Sequence, residues 1–179
     1  WLFTKISSLI LIPLMVWFLI NFVSAQKPIF NVLEKQEDAL IVEFTLPAYQ
    51  LLDYKIVNGE MHQKIMAREA VATLKKGFPE VLKFSTNIQM PSKGVSSIDI
   101  LSNSNVVKSN INLIPSKGNL YRNINPDDIP FEKAEVYNQN KLYPGSLAIG
   151  NTPYIQRDVR GQTITCLLYT SDAADDLWC

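Results

Sequence analysis

VLKFSTNIQMPSKGVSSIDILSNSNVVKSNINLIPSKG, residues 81–118, decides the fold class. Runs of strand length at 81–90, 95–101 and 106–114 are set off by clusters of Pro, Gly, Ser and Asn. Val, Ile, Phe and Thr suit a pleated, half-buried surface, whereas the punctuating residues suit turns. This spacing predicts a mainly β fold with little helix, either a β-sandwich, jelly-roll-like, or a barrel. The stretch also echoes itself, because MPSKG at 90–94 and IPSKG at 114–118 each lead an apolar residue into a Pro-x-x-Gly turn. Pro fixes φ and Gly supplies the permissive position. Two turns at one end of a sandwich explain the echo more simply than a duplicated domain.

Upstream, residues 39–46 (ALIVEFTL) form a β-branched and aromatic run that Pro47 ends, which reads as a strand. A second apolar run, 51–57, meets Asn58 and Gly59. Asn-Gly is the strongest short hairpin signal, since both positions tolerate positive φ. Residues 61–74 carry helical colouring, with Ile65, Ala70, Val71 and Leu74 apolar among good helix formers until Gly77, Phe78 and Pro79. A helix is expected there, although several short strands fit equally well. Downstream, 119–145 is long, polar and rich in Asn, Asp and Pro, the signature of a functional loop or edge excursion. Residues 146–149 supply one more strand-like run, and 26–38 read as a charged lead-in.

The two ends read differently from the body. Lys5 precedes an apolar run from residue 6 to 23, and Ser24, Ala25, Gln26 and Lys27 follow. A positive end, an apolar core and a small residue before a polar start make a secretory signal over 1–25, cleaved between Ala25 and Gln26. A membrane anchor is the competing reading, because the run is just long enough to span. Pro13 and the Val-Ser-Ala ending favour cleavage. With Trp1 in place of Met at the head, the reading frame is expected to be incomplete there. At the other end, CLLYTSDAADD (166–176) has no apolar periodicity and resembles, residue for residue, a translated transposase adapter of short-read DNA libraries. Residues 166–179 therefore read as a non-native tail, and the native chain is expected to continue past Thr165.

Composition narrows the function. The chain has 17 Lys+Arg against 17 Asp+Glu and no basic block, which argues against a nucleic-acid partner. Both cysteines, Cys166 and Cys179, lie in the tail, so the body offers neither a disulfide framework nor a cysteine metal ligand. A cysteine nucleophile needs a nearby imidazole, and the body has no Cys and one His, so no catalytic residue is assigned. That residue, His62, beside a turn, reads as a surface or half-buried side chain. No metal ligand set and no cofactor site is readable. Asp127 and Asp128 sit in an Asn-Pro-Asp-Asp turn, where carboxylates usually cap backbone groups.

Several short motifs carry a family likeness. Gly77 and Pro79 in GFPEV, the Met90-Pro91 step, and Pro115, Lys117 and Gly118 in IPSKG are the first part. Tyr143, Pro144 and Gly145, then Tyr154, Arg157, Asp158, Arg160 and Gly161 in PYIQRDVRG, are the more specific part. Together they resemble the propeptide of gingipain-type cysteine peptidases over roughly 40–164, with 39–165 as the domain. Leu82 departs from the pattern, standing where members of the family often carry a second Pro.

The resemblance implies a prodomain that acts as intramolecular chaperone and inhibitor of its own downstream peptidase domain. That domain, degradative or sortase-like, would hold the catalytic Cys and His. The resemblance further implies export through the secretory machinery of a Gram-negative, Bacteroidetes-like bacterium with type IX secretion. Inhibition is expected from a basic side chain entering the specificity pocket, with Lys93, Lys117 and Arg122 as candidates. The Arg157, Asp158 and Arg160 cluster is expected to form a salt-bridged corner of the sandwich. The rival reading is a secreted adhesion or carbohydrate-binding module, with Tyr121, Tyr137, Tyr143 and Tyr154 as a stacking face.

Overall fold

The computed structural model describes residues 29–57, 59–104, 108–139, 141–171 and 176–178. The expected signal segment and its cleavage point at Ala25 and Gln26 lie outside the described residues. The fold is mainly β, as the spacing predicts, and the described residues contain no α-helix.

Two hairpins begin it. Strand β1 (Phe30–Lys35) pairs antiparallel with β2 (Leu40–Phe44), so the charged lead-in holds a strand. Phe30, Phe44 and Phe84 stack in series with centroids 5.3 and 5.2 Å apart, which fixes this hairpin on the core. Strand β3 (Tyr49–Val57) pairs with β4 (Glu60–Ala67), and Val57 faces Glu60 across a two-residue loop. Gly59 in that loop has φ +86°, the conformation that the Asn-Gly signal anticipates.

The expected helix over 61–74 is instead β4 followed by a short β5 (Val71–Ala72). The short-strand alternative is thus the one observed. Ile65 lies in β4, Val71 lies in β5, and Arg68 and Glu69 turn the chain between them.

A five-stranded sheet forms the second half. Strand β6 (Leu82–Gln89) lies between β5 and β10 (Val159–Leu167). The far edge of β10 is shared by β8 (Ala148–Gly150) and β9 (Tyr154–Gln156). Across β6 and β10, Ser85 and Thr165 hydroxyls meet at 2.9 Å, and Thr163 donates to Asn87 at 2.7 Å. Beyond β10, β11 (Tyr169–Ser171) pairs with β12 (Asp176–Trp178), which pairs with β7 (Lys108–Ser109). The runs 95–101 and 106–114 are not regular strands: residues 95–101 are extended without ladder partners, and residues 105–107 lie outside the described set.

What joins the halves is a single extended segment. Gln63 N–H donates to Asn112 O at 2.7 Å and Ile114 N–H donates to Gln63 O at 2.9 Å, a parallel bridge to β4. On its other side, Glu80 N–H donates to Ile114 O, Ser116 N–H to Phe78 O and Gly77 N–H to Ser116 O, all within 2.9 Å. Ile111, Leu113, Ile114, Pro115 and Ser116 are all buried. Leu113, Ile65, Val81, Leu82, Phe84 and Leu168 pack into one core, and each such side chain contributes about 1.5–3 kcal/mol.

The echoed turns thus diverge. Pro115 is buried and bridged to Pro79, whereas the 91–94 turn is exposed. Gly77 lies at a crowded point of the junction, with φ +81° and its O accepting from Ala134 N–H at 2.8 Å. A Cβ there would stand 3.3 Å from that of Ala134. Gly77→Ala should therefore lower stability by about 1–3 kcal/mol, read as a lower urea midpoint with unchanged slope.

Candidate functional site

The excursion from 117 to 137 carries an exposed basic turn at Arg122. Ile124 N–H donates to Tyr121 O at 3.0 Å, which closes a β-turn with Arg122 and Asn123 at its centre. Arg122 is exposed and Tyr121 beside it is 79% exposed. The turn is short and its flanks are fixed. On one side, Gly118 N–H donates to the buried Ser116 hydroxyl at 3.2 Å. On the other, a single 3₁₀ turn (Pro126–Asp128) is capped by Asn125, which accepts from Asp127 N–H at 3.2 Å. Asp128 accepts from the Asn125 amide at 3.3 Å, so these residues organise backbone, as the turn reading anticipates.

Lys117 is the tie across this loop. Its ammonium donates to Pro126 O and sits 4.3 Å from the centroid of Phe131. Lys55 approaches the same ring at 5.5 Å. Lys117 is thereby a loop-organising residue, and of the three basic candidates Lys93 and Arg122 are the exposed ones. Lys93 lies in the 91–94 turn, which Arg160 holds from behind. The Arg160 guanidinium donates to Pro91 O at 3.1 Å and Gly94 O at 2.8 Å.

This replaces the expected salt-bridged corner. The Arg157, Asp158 and Arg160 cluster is expected to be salt-bridged, and the fold gives Arg160 two carbonyls instead, 69 and 66 residues away. Among the described residues, the ion pairs are Lys64–Glu80, Arg68–Glu69, Lys76–Glu132 and Lys133–Glu60. Arg157 takes φ +54° in the turn between β9 and β10, with Asp158 next to it. Across that hairpin Tyr154 faces Gly161, and a Cβ at 161 would meet the Tyr154 ring at 3.0 Å. Glycine at 161 leaves room for the ring to lie over the strand.

The remaining motif residues gather around the junction. Tyr143 stacks on Phe78 at 5.3 Å, and the Tyr143–Pro144 bond is cis, with Gly145 following at φ +94°. Burial pushes the Tyr143 hydroxyl to a raised pKa, opposed by a hydrogen bond with Thr73. Tyr137 donates to Leu113 O at 2.9 Å, and its pKa is raised by burial first, then by Tyr143 and Glu80. Two of the four tyrosines proposed for a stacking face are thus turned inward. His62, read as a surface or half-buried residue, is fully buried. No spacing rule signals this, because its cover comes from residues fifty positions and more away.

The Propeptide_C25 family model matches residues 22–169. Gingipain R1 of Porphyromonas gingivalis is 30% identical over 129 residues, covering 72% of this chain and 13% of that protein. Gingipain R2 of the same species is 29% identical over 139 residues, 78% of this chain and 19% of that protein. The chain thus spans under one fifth of the length of these relatives. Among solved structures, the complex of Porphyromonas gingivalis RgpB pro- and mature domains aligns with TM-score 0.79 at 26% identity. That alignment covers 86% of this chain and 80% of the other. A structure concerned with zymogenic latency of gingipain K, from the same species, aligns at TM-score 0.70 and 17% identity. It covers 87% of this chain and 89% of that one and shows the shared fold. The chain belongs to the Propeptide_C25 family, the propeptides of gingipain-type cysteine peptidases.

Proposed function

We propose that this domain is the intramolecular chaperone and inhibitor of a gingipain-like cysteine endopeptidase domain that follows it in the precursor. The observation that carries the reading is the fold shared with a propeptide solved together with its mature domain. The exposed Arg122 turn, braced by Lys117 on one side and the Asn125 cap on the other, is the element best suited to enter a pocket. A braced basic turn loses little freedom on docking, so more of its contact energy appears as affinity. Residues 1–25 would direct export and be removed after Ala25, in a Bacteroidetes-like bacterium using type IX secretion.

We further read 39–165 as the native portion of a β-sandwich propeptide and 166–179 as adapter-derived. The family match runs on to Tyr169, and Leu168 is buried with its N–H donating to Leu82 O at 3.0 Å. The adapter-like Cys-Leu-Leu-Tyr-Thr happens to suit a strand, and it continues β10 in register with Phe84 and Lys83. Position 168 therefore demands an apolar residue in the native protein.

Two experiments test these readings. Genomic DNA read through Thr165 from an adapter-free template should continue in frame with an apolar residue at 168, then a long domain containing a His and a Cys nucleophile. A stop or an unrelated domain overturns the precursor reading. The chain from Gln26 onward should also slow a gingipain-type peptidase at micromolar concentration or below. Arg122→Ala should weaken that inhibition by tenfold or more, about 2 kcal/mol, while Lys93→Ala leaves it within twofold. Equal losses from both would move the contact away from Arg122.

A further inference from the structure

His62 is the single histidine of the chain and is fully buried in β4. Its Nδ1 lies 2.9 Å from the carbonyl oxygen of Glu60. A carbonyl only accepts, so Nδ1 carries the proton and Nε2 presents a lone pair. Among the described residues Nε2 has no hydrogen-bond partner, and neither do two other buried atoms of this seam, Gln63 Oε1 and Asn112 Oδ1. Gln63 and Asn112 each spend their amide hydrogens elsewhere, on Asp53 and on Met61 O respectively. The imidazole is therefore housed as a neutral ring. A second proton would sit on Nε2 with no acceptor, in a site closed to water.

The charges around it do not offer an alternative. On β4 itself, Glu60 is engaged by Lys133 at 2.6 Å and Lys64 by Glu80 at 3.3 Å. From β3, Lys55 is the register partner of His62, and Asp53 accepts from Gln63. The 111–116 segment brings Asn112, which is uncharged, and the 131–137 segment brings Lys133. Burial is the main force lowering the His62 pKa. The Glu60 carbonyl opposes it, Lys133 adds to it, and the Glu60 carboxylate opposes it weakly.

We propose that His62 is an acid-sensitive latch, whose protonation unseats β4 from the 111–116 segment and loosens the domain. Because that segment leads directly into Lys117 and the Arg122 turn, the same event would weaken the inhibitory hold, and this last clause rests on the function proposed above. The sign follows from linkage. A histidine with a folded pKa below its unfolded value of 6.5 contributes its stability in full above that pH. The contribution is lost as pH falls below about 6.5, because the unfolded chain then binds the proton and the folded one does not.

The test uses the untagged chain from Gln26 onward, unfolded in urea between pH 7.5 and 5.5. Below about pH 6.5 its unfolding constant should rise by up to tenfold per pH unit, the slope of one proton. His62→Asn keeps a donor for the Glu60 carbonyl and removes the titrating ring, so it should flatten that slope. Equal slopes in both proteins, or a flat wild type, overturn the latch. If His62→Asn does not fold, the Cε1–H resonance of the single imidazole in the wild type decides: a folded-state titration at or above 6.5 overturns the proposal, and a lower one supports it. A wild type that loses stability in acid but never inhibits a peptidase at neutral pH would leave the latch standing and remove the inhibitor reading instead.

Discussion

Everything in this domain hangs on the backbone hydrogen bonds that residues 111–116 make on both sides at once. Towards β4 they close a parallel bridge through Gln63, and towards the turn at 77–80 they close an antiparallel one through Pro79 and Pro115. The segment is neither a long strand nor a loop. It is a buried splice whose polar groups are met by two otherwise separate sheets, and whose side chains, Ile111, Leu113 and Ile114, fill the space between them. Buried peptide groups left unpaired cost about 1–3 kcal/mol each, so shifting this splice by one residue would be severe. Gly77 and the ends of the 117–137 excursion are all positioned by it.

How much of this was readable in the residues depends on where their partners lie. The hairpin of β3 and β4 is legible because Asn58 and Gly59 encode their own backbone, and Gly59 needs no distant contact to adopt positive φ. The strand β6 is legible because Leu82, Phe84 and their exposed neighbours alternate over one ladder. β4 is only half legible, because Ile65, Ala70, Val71 and Leu74 fall at spacings that suit a helix and short strands alike. The site follows the same division. Asp127 and Asp128 behave as their local turn suggests, but only the fold separates Lys117, spent on Pro126 and Phe131, from Arg122. The partners of Arg160 are not legible, because carbonyls nearly seventy residues away leave no mark in the local sequence.

The likeness to the gingipain K structure at 17% identity shows that this fold is kept across wide sequence difference. The family motifs then acquire physical roles. Gly77 accommodates a crowded junction, Pro79 and Pro115 sit where backbones meet, and Gly161 leaves space for Tyr154.

The position of β10 has a consequence for the order of events during synthesis. It is the central strand of the largest sheet, yet it comes near the end of the described chain, and its hydroxyl contact from Thr165 to Ser85 spans 80 residues. The two hairpins at the start can pair as soon as they emerge, although their burial waits for Phe84 and residues 111–116. The sheet around β6 cannot, and the 91–94 turn waits for Arg160. In a nascent chain of this design the sheet around β6 stays open until β10 arrives, because closing distant contacts is the slow part of folding. Closure of that sheet is thereby timed by the arrival of β10 rather than by the formation of any earlier element.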